Sequence, residues 1–378
     1  MMDSKEISDK KIGIFSVGTA GHVMPSVRII AELNKQGFDL KNLLVVTGNR
    51  NEKKYYKNLN VDIIEYDFVR TKKSRIYYFI NFFGIIKSLY FLNQIVRTNN
   101  ISVIFTTGSY IAPLISILGY IKKIPVYLQE QNIYAGLGNY VGSFFGKKVY
   151  TSFPDTVHLH KIKIFFVGPI LDESIEGNQA KLSIGTEINN GVVSIGIQGG
   201  SQGSQEINDL IYETFKDWGG PLELPIKLIH ITGGLEVQKI DNEFVDHIIL
   251  DFVEDMASYY GSINFQITRG GGGILESALL QIINVIIPYK YGTTSKHQKK
   301  NALYLSERNA AIMIEEPNKE KLLKALEGPI QAIQRTEKGT VSIDRASPWT
   351  RAHALNAVKQ GARELIANEL YDEYKKSI

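Results

Sequence analysis

The sequence predicts an α/β protein built from two doubly wound, Rossmann-like domains. Apolar, β-branched segments alternate with helical patterns along most of the chain, which is typical of parallel sheets with crossover helices. A buried strand followed by a glycine-rich turn and a helix occurs twice, about 180 residues apart. The length of 378 residues also favours two domains, at roughly 100–200 residues each.

The first of these openings starts with the apolar run of residues 11–17, which predicts a buried strand. Gly18-Thr19-Ala20-Gly21-His22 then turns the chain into a helix. The second opening starts with residues 191–197, continues through Gly199-Gly200-Ser201-Gln202-Gly203-Ser204, and leads into another amphipathic helix. Two such units predict two separate sheets.

Glycine and proline interrupt the pattern at Gly168-Pro169, where we place the domain boundary. We therefore expect a first domain over residues 1–168 and a second over residues 169–345. Residues 346–378 are expected to form a C-terminal helical segment that packs back on the first domain. Because ligands of doubly wound sheets bind at the carboxyl ends of the strands, the expected site is a cleft between the two domains.

The charge is divided between the two halves of the chain. Residues 1–170 carry 22 Lys and Arg against 11 Asp and Glu, whereas residues 171–378 carry 21 against 28. The basic half is expected to face an anionic partner, either a membrane surface or a phosphorylated substrate, although an unevenly charged solvated surface is the alternative. No nucleic-acid-binding module is recognisable, so nucleic acid is not an expected partner.

The composition excludes several classes of chemistry. Without Cys the chain has no disulfides, no thiolate nucleophile and no Cys-ligated zinc. The sequence contains no His-Glu-x-x-His, EF-hand or Asp-x-Asp motif, so we expect neither a dedicated metal site nor a cofactor.

A basic cluster precedes an aromatic, apolar run over residues 76–92 of the first domain. The residues of this segment that we expect to form a membrane patch are Arg70, Lys72, Lys73, Arg75, Phe79, Phe82 and Phe83. Polar residues interrupt the run, and a transmembrane helix needs about 20 predominantly apolar residues. The segment therefore predicts an interfacial helix on an anionic membrane, with a core helix as the alternative.

Three glycine-rich loops are candidate phosphate cradles, because small residues allow backbone N–H groups to approach an anion. They are residues 18–22, 199–204 and 269–273. His22 is the last residue of the first loop, and the ordinary histidine pKa near 6.5 suits a general base, although a capping or packing histidine is the commoner case. Glu276 follows the third loop and would either cap the next helix or bind ribose hydroxyls.

Two polar clusters are expected where apolar strands end. Gln129-Glu130-Gln131-Asn132 follows the strand predicted over residues 125–128, and either lines the cleft or forms a simple turn. Residues 291–302 follow the strand predicted over residues 285–288. They are predicted to begin as a polar, basic loop that closes over a sugar or a phosphate.

Taken in order, these motifs resemble those of the MurG family of bacterial cell-wall glycosyltransferases, from about Ile12 to Val358. Residues 18–22 with Pro25 are similar to the family's opening loop, and residues 129–132 are similar to its His-Glu-Gln-Asn segment. The Gly-Gly-Ser-Gln-Gly segment is intact at residues 199–203.

The resemblance implies a GT-B fold and an inverting transfer of GlcNAc. UDP-GlcNAc would be the donor, and the 4-hydroxyl of MurNAc in undecaprenyl-pyrophosphoryl-MurNAc-pentapeptide, lipid I, would be the acceptor. It also implies a role in peptidoglycan synthesis, and through it in cell shape and division, at the cytoplasmic face of the cell membrane.

The resemblance further implies a role for each matching residue. His22 would be the catalytic base, with Glu130 as its rival. Acceptor-side positions would be Thr19, Gly21, Tyr110 and Asn132. Donor-side positions would be Ser201 and Gln202 at the diphosphate, Phe252 and Met256 at the uracil, Gly271 and Gly272 in the third loop, Glu276 at the ribose and Gln298 at the donor sugar.

The sequence departs from the family pattern at several places, among them two replaced glycines in the opening loop and the lysines Lys299 and Lys300. The domain junction, residues 167–171, lacks the family's arginine, and the third loop has become Arg269-Gly270-Gly271-Gly272-Gly273. These changes keep three alternatives open: a related GT-B transferase that acts on another polyprenyl-linked glycan, a UDP-sugar 2-epimerase, and a non-catalytic, membrane-docked homologue.

Overall fold

The computed structural model describes residues 9–68, 75–160, 163–177, 192–219, 225–334 and 356–378. The contacts divide the chain into two compact units. One comprises Met1–Leu171 with Gln360–Ile378, and the other comprises Asp172–Lys359. Each unit contains its own parallel sheet with helices, so the predicted α/β fold class is confirmed.

The sheet of the first unit has seven strands. They are β1 (Lys11–Phe15), β2 (Leu43–Thr47), β3 (Asp62–Glu65), β4 (Ile101–Thr106), β5 (Val126–Glu130), β6 (Lys148–Thr151) and β7 (Ile164–Phe166). Their order is β3-β2-β1-β4-β5-β6-β7, and every neighbouring pair is parallel. The order reverses direction at β1 and β4, which is the switch point where doubly wound sheets bind ligands.

The helices of the first unit follow from apolar spacing on the sequence. They are α1 (Ala20–Lys35), α2 (Arg75–Thr98), α3 (Ile111–Lys122) and α4 (Leu137–Phe145), with short 3₁₀ helices at Leu40–Asn42 and Glu52–Tyr56. In α1, Ile29, Ile30 and Leu33 are fully buried against Ile12 and Ile14 of β1. Each such aliphatic side chain stabilises the fold by about 1.5–3 kcal/mol when it leaves water.

The second unit has a six-stranded sheet in the order β10-β9-β8-β11-β12-β13. Its strands are β8 (Val193–Gln198), β9 (Ile226–Ile231), β10 (Val245–Leu250), β11 (Phe265–Thr268), β12 (Ile283–Ile286) and β13 (Ala311–Met313). Its helices are α5 (Glu173–Glu176), α6 (Gln205–Phe215), α7 (Met256–Gly261), α8 (Gly273–Leu279), α9 (Gly292–Ser306) and α10 (Lys319–Gln334). All strand pairs are again parallel, and the switch point lies between β8 and β11.

Helix α6 shows how the second unit is assembled. The Oγ of Ser204 accepts a hydrogen bond from the N–H of Ile207 at 3.3 Å, which caps the first turn. Ile207, Ile211 and Phe215 repeat at intervals of four residues and are fully buried on the sheet. The glycine loop of residues 199–203 is therefore followed directly by a capped, firmly packed helix.

The C-terminal helix α11 (Ala362–Ser377) packs on the first unit, chiefly against α1. Arg363 Nε and Glu32 Oε2 form an ion pair of 2.9 Å in which both side chains are buried. Phe38 meets the rings of Tyr371 and Tyr374 edge to face, with centroids 5.3 and 5.1 Å apart. Of the predicted C-terminal segment, residues 346–355 lie outside the described residues, and residues 356–378 lie within them.

Helix α2 contains the second part of the predicted membrane segment. Phe83, Ile86 and Tyr90 are 57%, 47% and 63% exposed on one helical face. Arg70, Lys72 and Lys73 lie outside the described residues, as do the side chains of Arg75, Phe79 and Phe82. Among the helices of the described ranges, none has the length and the apolar character needed to cross a membrane.

Candidate active site

The first candidate loop connects β1 to α1. Gly18 has φ +129°, a conformation that side chains disfavour, and the helix starts at Ala20. Gly21 and His22 therefore lie in the first turn of α1, and Thr19 is the exposed N-cap residue. This placement brings His22 to the carboxyl end of β1, at the switch point of the sheet.

The environment of His22 assigns its tautomer. Its Nδ1 lies 3.1 Å from the backbone carbonyl oxygen of Thr107, which can only accept a hydrogen bond. Nδ1 therefore carries the proton, and Nε2 is the basic nitrogen. The amide nitrogen of Gln131 lies 3.4 Å from Nδ1, a longer distance than that to Thr107, so with Nδ1 protonated this is a packing contact and not a hydrogen bond. Ser16 Oγ donates to the carbonyl oxygen of His22 at 3.0 Å.

Strand β5 extends further than the sequence predicted. Gln129 and Glu130 belong to the strand, because both pair with β6 opposite Tyr150 and Thr151. The prediction that they follow the strand was wrong by two residues. The loop after β5 begins at Gln131, which is the residue that reaches His22.

Glu130 is buried, and four donors surround its carboxylate. Oε1 accepts from the N–H of Asn132 at 2.9 Å and from Asn132 Nδ2 at 3.0 Å. Oε2 accepts from the N–H of Gly136 at 3.1 Å and from Asn139 Nδ2 at 2.9 Å. The carboxylate therefore holds the loop of residues 131–136 and the first turn of α4 in place.

The first turn of α4 packs on the loop after β4. Gly108 has φ +99°, and a Cβ at this position would lie 2.8 Å from Asn139 Nδ2. A Cβ at Gly138 would overlap the carbonyl oxygen of Ser109. Tyr110, the acceptor-side candidate of this loop, is half-buried beside Phe68. The structure thus joins His22, Gln131 and the Glu130–Asn132 cluster into one end of the sheet.

The Gly-Gly-Ser-Gln-Gly loop of the second unit is held by a loop that the sequence analysis missed. Gly203 and Gly233 have φ +69° and +70°, and their backbones touch. A Cβ at Gly203 would overlap the carbonyl oxygen of Thr232, and one at Gly233 would overlap the nitrogen of Gly203. Ser201 and Gln202 are exposed at the tip. The Gly233-Gly234 pair after β9 was the sequence signal for this contact.

The four consecutive glycines after Arg269 have different roles. A Cβ at Gly270 would overlap the backbone of Gln298, and Asn301 Nδ2 donates to the Gly270 carbonyl oxygen at 3.0 Å. Gly270 is therefore required by packing on α9. Gly271 faces open space, and Gly272 is exposed, so these two glycines leave room for a ligand. Glu276 lies in the first turn of α8.

Helix α9 begins at Gly292, so the prediction that residues 291–302 begin as a loop was wrong. Gln298 lies in the second turn of this helix. Its Oε1 accepts the N–H of Tyr289 at 2.8 Å, so the other end of the amide, Nε2, is a hydrogen-bond donor.

Arg269 connects three loops of the second unit. Its Nη2 donates to Ser204 Oγ at 2.6 Å and to Glu206 Oε2 at 2.8 Å, and Nη1 donates to the carbonyl oxygen of Ile287 at 3.1 Å. Lys290 Nζ lies 3.1 Å from Glu206 Oε1. Burial alone would raise the pKa of Glu206, but the bonds from Arg269 and Lys290 lower it below its usual value.

The two candidate uracil contacts lie after β10. Phe252 is 57% exposed, and Met256 opens helix α7. Asp255 caps this helix by accepting the N–H of Ser258 at 3.1 Å, and its bonds from Ser258 lower its pKa. Within the described ranges, no group of three or more His, Asp or Glu side chains is arranged to hold a metal ion.

Two family models match the chain. The N-terminal domain model of glycosyltransferase family 28 matches residues 12–151, and the C-terminal domain model of the same family matches residues 194–347. Together the two matches span most of both units. Each glycine loop described above lies inside one of them.

Two curated relatives bear the name UDP-N-acetylglucosamine–N-acetylmuramyl-(pentapeptide) pyrophosphoryl-undecaprenol N-acetylglucosamine transferase. The relative from Coxiella burnetii is 26% identical over 311 residues, which is 81% of this chain and 85% of the relative. The relative from Thermosipho africanus is 28% identical over 325 residues, which is 81% of this chain and 87% of the relative.

Solved structures show the same fold. Acinetobacter baumannii MurG superposes with a TM-score of 0.68 at 20% identity, covering 96% of this chain and 99% of that one. The UDP-GlcNAc 2-epimerase of Methanocaldococcus jannaschii superposes with a TM-score of 0.58 at 13% identity, again covering 96% and 99%. The GT-B architecture expected from the sequence is thereby confirmed.

Proposed function

The chain belongs to glycosyltransferase family 28, and on this premise we propose that it transfers GlcNAc from UDP-GlcNAc to lipid I. The acceptor atom is the 4-hydroxyl oxygen of MurNAc, and the product is lipid II of peptidoglycan synthesis. The observation that carries the proposal is the hydrogen bond from His22 Nδ1–H to the Thr107 carbonyl oxygen, which leaves Nε2 as the basic nitrogen. The names of the curated relatives support the substrates.

The second unit is proposed to bind the donor. Ser201, Gln202 and the N–H groups of their loop would hold the diphosphate, and the dipole of α6 favours negative charge there. Glu276 would accept hydrogen bonds from the ribose hydroxyls, and Gln298 Nε2 would donate to the sugar. The remaining donor contacts are proposed at Phe252, Met256, Gly271 and Gly272.

The first unit is proposed to supply the base. Nε2 of His22 takes the proton of the acceptor hydroxyl, and the hydroxyl oxygen attacks the anomeric carbon. The bond from that carbon to the diphosphate oxygen breaks from the opposite face, so the configuration inverts and UDP leaves with the electron pair. The Thr107 carbonyl oxygen, held against Nδ1–H at 3.1 Å, stabilises the imidazolium that forms.

Glu130 is assigned a positioning role rather than that of the base. Its two oxygens already accept four hydrogen bonds from the loop of residues 131–136 and the first turn of α4. Removal of the carboxylate would release Gln131, which contacts His22, and Asn132, an acceptor-side candidate. Thr19, Gly21 and Tyr110 complete the proposed acceptor side.

We place the protein at the cytoplasmic face of the cell membrane as a peripheral enzyme. The exposed face of α2 with Phe83, Ile86 and Tyr90 supports this placement, since apolar and aromatic side chains enter the headgroup boundary. The basic residues 70–75 would meet anionic lipid. Cosedimentation with anionic vesicles tests it, and equal binding to neutral vesicles would contradict the electrostatic part.

The direct test is transfer of labelled GlcNAc from UDP-GlcNAc to a lipid I analogue. We expect a disaccharide product whose formation requires both substrates, with UDP-GalNAc and UDP-glucose as poor donors. Consumption of UDP-GlcNAc without any acceptor would instead identify an epimerase. Failure to bind any uridine nucleotide would identify a non-catalytic homologue.

A further inference from the structure

The charged cluster at the start of α6 contains one adjustable cation. Arg269 is 6% exposed and is held by Ser204, Glu206 and the carbonyl oxygen of Ile287, so its guanidinium is fixed. Lys290, in contrast, is 39% exposed at the side chain and meets Glu206, which is 33% exposed. Ion pairs that are open to water are weak, so the ammonium of Lys290 can exchange its partner.

The backbone that carries Lys290 is nevertheless well positioned. The N–H of Tyr289 donates to Gln298 Oε1 at 2.8 Å, and the Tyr289 ring lies 5.4 Å from the guanidinium carbon of Arg269. The carbonyl oxygens of Ile287 and Pro288 accept from Arg269 Nη1 at 3.1 and 3.4 Å. A flexible side chain on a fixed loop can move its ammonium by a few ångströms without disturbing the fold.

The cluster also has an excess of positive charge beside the glycine loop. Arg269 and Lys290 carry two positive charges against the single carboxylate of Glu206. Glu206 lies two residues after the cap Ser204, so its carboxylate and the Lys290 ammonium are at the N-terminal end of α6. That end of an eleven-residue helix, together with residues 199–203, is where the donor diphosphate is proposed to bind.

We propose that Lys290 is a diphosphate-binding residue of the donor site, whose ammonium leaves Glu206 and bonds to the diphosphate oxygens when the donor binds. This inference rests on the proposed donor site in the second unit. Glu206 acts as the resting partner of Lys290, and it opposes the anion by its own charge. Arg269 stays in place and keeps the glycine loop, the loop after β11 and the loop after β12 together.

Calorimetric titration of UDP, UMP and uridine into Lys290→Met tests this assignment. Because a hydrogen bond to a charged group is lost, UDP should bind about tenfold more weakly than to the wild type. Uridine, which has no phosphate, should bind equally to both. Lys290→Arg should retain most of the affinity for UDP, which would show that charge rather than packing is responsible.

Two further variants sharpen the test. Lys321→Met removes another exposed lysine of the same unit, which pairs with Glu316 at 3.3 Å, and should leave UDP affinity unchanged. Glu206→Gln removes the competing carboxylate and should tighten UDP binding. Equal UDP affinity in the wild type and Lys290→Met, or equal losses for UDP and uridine, would overturn the role of Lys290. A wild type that binds no uridine nucleotide would instead overturn the proposed function itself.

Discussion

The two units use similar glycine-rich openings for different purposes. In the first unit, Gly18 makes the turn and the helix then presents a histidine, whose proton is placed by the Thr107 carbonyl. In the second unit, Gly203 locks the loop against Gly233, and the neighbouring side chains are the cations Arg269 and Lys290. A strand, a glycine loop and a helix therefore specify an architecture, and under the proposed function the flanking side chains decide between proton transfer and anion binding.

The two sites also differ in the sign of the buried charge beside them. The buried charged group near the first site is the carboxylate of Glu130, which accepts hydrogen bonds from uncharged donors of the following loop and of α4. The buried charge near the second site is the guanidinium of Arg269. A base benefits from a nearby negative charge once it is protonated, whereas a leaving diphosphate benefits from a positive one. The proposed division of labour follows from these signs.

The largest expected effect comes from removing the base. His22→Ala should lower kcat for GlcNAc transfer by about 10²–10⁴-fold, which is the usual contribution of general base catalysis. His22→Gln keeps an amide that can donate to the Thr107 carbonyl but has no basic nitrogen, so it should be equally impaired. Initial rates at saturating substrates measure both variants. Retained activity in His22→Gln would assign His22 a structural role.

The contact between glycine loops should be the most sensitive feature of the second unit. Gly203→Ala places a Cβ on the Thr232 carbonyl at φ +69°, and we expect a loss of about 2–4 kcal/mol in the free energy of unfolding. The matched variant Gly200→Ala, at φ +90° but facing open space, should cost about 1–2 kcal/mol. Fluorescence of Trp218, which is buried in this unit, follows unfolding in denaturant. If both variants lose the same free energy of unfolding, the contact between Gly203 and Thr232 does not stabilise the unit.

A buried histidine pair gives the stability of the second unit a dependence on pH. The Nδ1 of His230 lies 3.3 Å from His247 Nε2, and its Nε2 lies 3.0 Å from Asn208 Oδ1. Burial, with the charge of His247, lowers the pKa of His230 from 6.5 to about 4. Between these two values the unfolded chain binds more protons than the folded one, so stability is full above pH 6.5 and falls as the pH decreases.

The expected loss from this group is about 3 kcal/mol between pH 6.5 and 4. Denaturant midpoints of the Trp218 signal at several pH values measure the loss, and His230→Gln should flatten the profile in this window. Buried carboxylates titrate in both proteins, so the difference between the two profiles isolates the histidine. Parallel profiles would show that His230 is not protonated on unfolding.

The smallest effect is expected at the ribose position. Glu276→Ala should weaken UDP-GlcNAc binding about tenfold, as expected for the loss of one hydrogen bond to a charged group, and should change kcat at saturating donor by less than about threefold. Separate measurements of kcat and KM for the donor decide this. A fall in kcat as large as that of His22→Ala would contradict the assignment of Glu276 to binding alone.

The local features of both sites could be predicted from the sequence because they depend on neighbouring residues. The strand, glycine loop and helix at residues 11–35 and 193–215 follow from apolar spacing, glycine and the Ser204 cap. The position of His22 at the end of β1 follows from the same pattern. The family resemblance then supplied expected roles that the fold alone does not give.

Features that depend on distant residues were missed. Arg269 bonds to Ser204 and Glu206, more than sixty residues earlier, and Gly233 meets Gly203 from a different loop. The predicted end of β5 was wrong for a related reason. Glu130 is part of β5 because β6 pairs with it, and local polarity does not reveal that pairing.

The central claim is that the second unit binds the donor without the base of the first unit. Titration of UDP-GlcNAc into His22→Ala by calorimetry, without added metal, tests it most directly. We expect a dissociation constant equal to that of the wild type in a protein that no longer transfers GlcNAc. A loss of donor affinity in His22→Ala would contradict the division of binding and proton removal between the two units.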